Sequence, residues 1–150
     1  MQSLTILDKM KFFEGLTEEE KSALSTIHLR VFKYDAGTVI IKADGDDHNL
    51  YIIIKGTATV MGTDKDPLAI LKPGEVFGEI AFLVPRPRSA SVVANTEVIA
   101  MRVDREGFKT LSTSLREKLK DKLIRIIVDR LTTHKKPEDL SLSNSFDWTH

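Results

Sequence analysis

The sequence predicts a mainly β domain, a sandwich or barrel-like roll, with helices at its flanks. Three observations carry this. Between Leu29 and Val103, short β-branched segments alternate in polarity, and turn residues separate them at intervals of roughly 8–12 residues. Before Leu29 and after Asp104 the apolar residues recur at helical spacing instead. The chain has 150 residues and no cysteine, so it can bury one core and must do so without disulfides.

The elements follow in order. Leu4, Ile6, Leu7, Met10, Phe12 and Phe13 set out a short amphipathic helix. Thr17-Glu18-Glu19-Glu20 reads as a capping box that starts a second short helix running to about Thr26. The segments LRVFKY, TVII, LYIIIKG, TATVM and LAIL then read as strands. Asp35-Ala36-Gly37, Asp44-Gly45-Asp46, Lys55-Gly56, Asp64-Lys65-Asp66-Pro67 and Pro73-Gly74 supply the turns. Two more strands are expected near Ala90 to Ala94 and Glu97 to Val103, which brings the named segments to seven, and the spacing implies about eight short strands.

Beyond Asp104, Ser114-Leu115-Arg116-Glu117 reads as another capping box. Leu115, Leu119, Leu123, Ile126, Ile127 and Leu131 then line one face of a long helix from Leu115 to about Thr133. Pro137 bars further helix, and the stretch to His150 is polar and Ser-rich, a loosely ordered tail or linker. The organisation is one domain over residues 1–136 and a polar tail over 137–150.

Composition narrows the function classes. Lys plus Arg and Asp plus Glu balance at 22 each, which argues against a nucleic-acid partner. No apolar run approaches the 18 or so residues of a membrane span, and no secretion signal opens the chain. A cytoplasmic location is the expectation. Without Cys, thiolate zinc and iron–sulfur sites are excluded. His28, His48, His134 and His150 stand at no metal-ligand spacing, and the strands hold almost no His, so a metal-bearing roll enzyme or a haem sensor is disfavoured.

The chemistry concentrates in FGEIAFLVPRPRSASV, Phe77 to Val92. It contains no nucleophile–base pair and no catalytic residue is assigned. It does suit an anionic, hydroxyl-bearing ligand. Glu79 can accept hydrogen bonds from a sugar hydroxyl, and the planar fork of Arg88 can pair with a phosphate. A helical turn from Gly78 to about Leu83 would aim free N–H groups at the anion. Gly78 permits close backbone approach, while Pro85 and Pro87 stop the turn and stiffen the lead to Arg88. Ser89 can add a hydroxyl or an N–H. Arg86 reads as a solvated charge.

This segment resembles the phosphate-binding cassette of cyclic nucleotide-binding domains. Phe77, Gly78, Glu79, Ile80 and Ala81 match its opening, and Pro87, Arg88, Ser89, Ala90, Ser91 and Val92 its close, without a gap. The likeness extends to FFEGL near Phe12, to Tyr34-Asp35-Ala36-Gly37, to Gly45-Asp46 and to Leu50-Tyr51-Ile52-Ile53.

The resemblance implies an eight-stranded, jelly-roll-like β-roll with short N-terminal helices and a long C-terminal helix. It implies a Glu79 contact to the ribose 2′-hydroxyl, an Arg88 pair with the cyclic phosphate, and backbone N–H groups of Ile80, Ala81, Ser89 and Ala90 around that phosphate. Arg130, Thr132 and Thr133 are its candidates for contacting the base. The ligand is cAMP, with cGMP compatible with Ser89, and no other cofactor is called for. The implied role is a regulatory module that relays binding through its C-terminal helix to an effector outside this chain. Ile126, Ile127 and Leu131 could also pair two copies into a homodimer. The alternative is a vestigial pocket on a structural or dimerisation module.

Overall fold

The computed structural model describes residues 7–27 and 29–133, which group into two compact units divided after Arg116. Leu4 and Ile6 of the expected first helix, His28, and the expected tail with Trp148 lie outside the described residues.

The first unit is built on eight strands. They are β1 (Leu29–Tyr34), β2 (Val39–Ile41), β3 (Leu50–Lys55), β4 (Ala58–Met61), β5 (Pro67–Leu71), β6 (Val76–Phe77), β7 (Ser91–Ala94) and β8 (Val98–Val103). They form two four-stranded sheets, ordered β1-β8-β3-β6 and β2-β7-β4-β5, and every pairing is antiparallel. This is the roll that the resemblance implied. The strand absent from the sequence reading is β6. At two residues it is too short to show alternation, and it exists because Phe77 and Val76 pair with Tyr51 and Ile52 of β3.

One hydrophobic cluster draws on both sheets. Tyr51, Ile53, Phe77, Val98 and Ala100 enter it from one sheet, and Ile41, Ala58, Leu71, Val92 and Ala94 from the other. The alternating side-chain directions of a strand put Leu50 and Ile52 on the opposite face from Tyr51 and Ile53. All four are buried, so β3 reads as a continuous apolar run. Pro67 begins β5 at the edge of its sheet, where its missing N–H costs no ladder bond.

The helices differ in detail from expectation. Leu7 to Lys9 is helical, but Met10 is extended at φ −97° and ψ 123°, and Lys11–Phe13 continues as a 3₁₀ turn. That break lets Leu7, Met10, Phe12 and Phe13 all be buried, which one continuous helical stripe would not achieve for neighbours in sequence. The capping box at Thr17 forms in full: Thr17 Oγ1 accepts from Glu20 N at 3.1 Å, and Glu20 Oε1 accepts from Thr17 N at 2.9 Å. It opens α1 (Glu18–Leu24).

Two short helices follow, α2 (Glu79–Leu83) and α3 (Arg105–Phe108). Sequence reading missed α3, whose single turn is held by Asp104 accepting from Gly107 N. The last helix, α4 (Thr113–Thr133), starts two residues before Leu115. Ser112 caps it, its Oγ accepting from Leu115 N at 3.2 Å, so Ser114 lies inside the helix rather than at its cap. Among the described residues, no helix is long and apolar enough to cross a membrane.

Truncation in the inter-sheet cluster tests this account of the core. Ile53 is fully buried. Ile53→Ala is expected to lower unfolding stability by about 2–5 kcal/mol, read from the midpoint of a denaturant titration. A loss typical of a surface site would remove Ile53 from the core.

Candidate functional site

The site begins where β6 ends. Gly78 takes φ 80° and ψ 13°, a left-handed conformation, and N-caps α2. A Cβ at this position would stand 2.8 Å from Arg88 Nη1 and 3.2 Å from the Asn49 carbonyl oxygen. Glycine is therefore required twice, for the backbone angle and for the approach of the guanidinium. The helix ends at Val84, which is extended at φ −128°, as the residue before a proline tends to be. Pro85, Arg86 and Pro87 are exposed and lead the chain to Arg88.

Arg88 is clamped by backbone and side chain alike. Its N–H donates to Gly45 O at 3.1 Å, and its carbonyl accepts from Asp44 N at 2.7 Å. Next to this pair, Ser91 Oγ accepts from Ala43 N at 2.9 Å. The β2–β3 loop and the lead into β7 are thus stitched together at the arginine. The side chain is only 5% exposed. Nη1 donates to Gly78 O at 2.7 Å and Nη2 to Asn49 O at 2.6 Å.

Arg88 forms an ion pair with Asp47, whose Oδ2 lies 3.7 Å from Nη2. That carboxylate is itself well used, accepting from Asn49 N at 2.8 Å and from the Tyr51 hydroxyl at 2.5 Å. Among the described residues, Arg88 Nε, like Arg102 Nε, is buried without a hydrogen-bond partner. Burial pulls the Arg88 guanidinium below the usual arginine value, against the fields of Asp47, Tyr51 and Glu79.

The remaining expected residues fall as follows. Phe77 is buried and stacks on Tyr51, with ring centroids 5.2 Å apart and planes 17° apart. Glu79 and Ala81 are buried, whereas Ile80 is exposed. Ser89 is exposed and Ala90 half-buried. Arg86 is exposed, in keeping with a solvated charge. Arg130, Thr132 and Thr133 belong to the second unit, on the last turn of α4. The Thr132 hydroxyl donates to helix carbonyls, Val128 O at 3.1 Å and Asp129 O at 3.2 Å.

The structure adds Asp47, Asn49 and Arg105 to the neighbourhood. Asp47 is one acid in the run Asp44-Gly45-Asp46-Asp47, and nothing local marks which of them turns inward. Asn49 holds Arg88 through its main chain, a contact that no side-chain identity reveals. Arg105 Nε donates to Phe82 O at 2.8 Å, in the last turn of α2. Tyr51 was legible as a strand residue within the family likeness, not as the partner of Asp47.

A buried arginine with an unfilled N–H edge thus stands beside a carboxylate and the first turn of a short helix on a β-roll. The chain matches the cyclic nucleotide-binding domain model over residues 31–114, more than half its length, and it belongs to that family. It is 34% identical over 106 residues to the cAMP-dependent protein kinase regulatory subunit of Aspergillus fumigatus, covering 70% of this chain and 25% of that protein. It is 35% identical over 100 residues to the cGMP-dependent protein kinase of Eimeria tenella, covering 67% of this chain and 10% of that one.

Among solved structures, it is similar to the regulatory subunit of a cAMP-independent protein kinase A from Trypanosoma brucei. The TM-score is 0.74 at 26% identity, covering 95% of this chain and 48% of that one. The chain therefore spans a quarter or less of the two curated relatives and about half of the trypanosomal structure.

The tyrosines make the electrostatics of the roll measurable. Both tyrosines of the chain, Tyr34 and Tyr51, have pKa values raised above the ordinary 10.0, chiefly by burial. In Tyr51 the hydrogen bond to Asp47 adds to the rise. The native state thus holds these protons more tightly than the unfolded chain. Their contribution to stability is whole below pH 10.0 and is lost as pH rises through the folded-state values. In an alkaline titration, tyrosinate absorbance is expected to lag behind that of the urea-unfolded protein. Coincident curves would mean that neither phenol is shielded.

Proposed function

We propose that this domain binds a cyclic nucleotide, cAMP in preference to cGMP, and acts as a regulatory module with no catalytic activity of its own. The observation that carries the reading is the unfilled Nε of Arg88. A buried guanidinium is costly unless its charge and its N–H groups are matched. Each Nη donates once, to a main-chain carbonyl that carries no net charge, and the Asp47 carboxylate pairs with Nη2 only at 3.7 Å. A phosphate would supply the missing acceptor for Nε and a further countercharge beside Asp47.

In this reading Arg88 binds the cyclic phosphate, and Glu79 accepts from the ribose 2′-hydroxyl. Main-chain N–H groups of Ile80, Ala81, Ser89 and Ala90 complete the cradle, with Phe77 and Gly78 shaping its approach. The preference for cAMP is supported by the name of the Aspergillus relative, and the name of the Eimeria relative makes cGMP the competitor to test. Those names also support a protein kinase catalytic domain or subunit as the regulated effector. The cassette helix α2 is hydrogen-bonded to α3, and α3 leads by chain continuity into α4. A ligand that shifts α2 thereby biases α4, to the extent that it binds the two states with different affinity. Pairing of two copies through Ile126, Ile127 and Leu131, which are half-buried on α4, is supported by the exposed apolar Ile124 and Val128 on the same helix, and the mass in solution decides it.

Calorimetric titration of nucleotide-stripped protein with cAMP and with cGMP tests the reading. Binding is expected with both, tighter for cAMP, and Arg88→Ala is expected to weaken it by about 2–5 kcal/mol. The circular dichroism of the variant shows whether it remains folded. Heat from neither nucleotide, on folded wild-type protein, would replace this reading with the vestigial one.

A further inference from the structure

Four hydrogen bonds close a ring around the cassette. Arg88 Nη1 grips α2 at its N-cap carbonyl, Gly78 O, at 2.7 Å. Arg105 Nε grips the same helix in its last turn, at Phe82 O, at 2.8 Å. Asn49 joins the two arginines: its main-chain carbonyl accepts from Arg88 Nη2 at 2.6 Å, and its side-chain Oδ1 accepts from Arg105 N at 2.9 Å. The circuit runs from Arg88 along α2 to Arg105, and back through Asn49.

We infer that Asn49 and Arg105 are positioning residues that hold α2, and with it the phosphate-binding face, in register with Arg88. The reason is geometric. A five-residue helix is below the length at which a helix is stable by itself, so its placement must come from outside contacts. Arg88 fixes one end but has a ligand to serve. Arg105 fixes the other end through the carbonyl of Phe82, which is not among the N–H groups of the anion cradle. Neither arginine alone sets the distance between the two grips. Asn49 sets it, because one residue receives both, through two oxygens on a single short side chain and backbone.

The arrangement also permits a clean cut. Asn49→Ala removes Oδ1, the acceptor for Arg105, and leaves the main-chain carbonyl that holds Arg88. Asn49→Asp keeps an acceptor oxygen in place. Arg105→Ala opens the ring at a different edge. The affinity part of this inference rests on the cyclic-nucleotide reading, while the ring itself can be tested without ligand.

The experiment is amide hydrogen exchange on the ligand-free full chain, followed by cAMP titration, for wild type, Asn49→Ala, Asn49→Asp, Arg105→Ala and the double alanine variant. Asn49→Ala is expected to speed exchange at Phe82 in α2 and at Val84, its C-cap, whose amides are bonded to Gly78 O and Ile80 O, by roughly two- to tenfold. The Ile53 amide, bonded to Glu75 O, serves as the core reference and should not change. cAMP affinity should fall by a similar factor, and Asn49→Asp should retain most of both. The double variant should lose little more than either single one, because a ring already opened has nothing further to lose.

Faster exchange confined to the Arg105 amide, equal effects of Asn49→Ala and Asn49→Asp, or additive losses in the double variant would each overturn the inference. If Asn49→Ala does not fold, Arg105→Ala gives the same α2 readout. If wild-type protein binds no cyclic nucleotide, the functional reading fails, and exchange at Phe82 and Val84 still decides the ring.

Discussion

A guanidinium that is 5% exposed has to be held by its surroundings on every side, and the site is organised by that need. Taking such a charge out of water costs several kcal/mol unless hydrogen bonds and countercharge offset it. Here the offset is assembled from parts far apart in sequence. Gly78 and Asn49 offer carbonyls, Asp47 offers a field, and the β2–β3 loop pins the backbone at Asp44 and Gly45. Each demand is steric as well as electrostatic. Gly78 has no side chain because Nη1 occupies the space where a Cβ would be.

The roll provides what these contacts need, which is rigidity at a fixed spacing. β3 is buried on both faces, and it carries Tyr51 next to the loop that bears Asp47 and Asn49. The Tyr51–Phe77 stack joins that strand to β6, and β6 leads directly into Gly78 and α2. The loop, the cassette and Arg88 are therefore referenced to one core. The direction of Arg88 is already decided, so in the proposed reading little ordering entropy remains to be lost on binding.

Much of this was legible beforehand because it is local. Seven strands were visible as β-branched runs between turn residues, and the Thr17 capping box depends only on residues three apart. The cassette was legible as a motif because Gly78, Glu79, Pro87 and Arg88 act within one short stretch. The misses share a cause. β6 has two residues and exists through its partner β3, α3 is a single turn, and the 3₁₀ turn at Lys11–Phe13 answers to burial rather than to helix propensity. At the start of α4, Ser112 and Ser114 are both competent caps, and only the path of the chain out of α3 selects Ser112.

By itself the sequence determines a mainly β domain with helical flanks, a sandwich or barrel-like roll, because period and turn chemistry are properties of neighbouring residues, and the motif from Phe77 to Val92 adds the family resemblance that selects the roll. The tertiary structure decides how the arginine of that cassette is held. Asp47 rather than Asp44 or Asp46 faces it, Asn49 contributes a main-chain oxygen, and Arg105 reaches back to Phe82. Those contacts join residues that are distant in the chain, and a carbonyl accepts a hydrogen bond whatever side chain it carries. Such choices leave no mark on sequence and are made only when the sheets close.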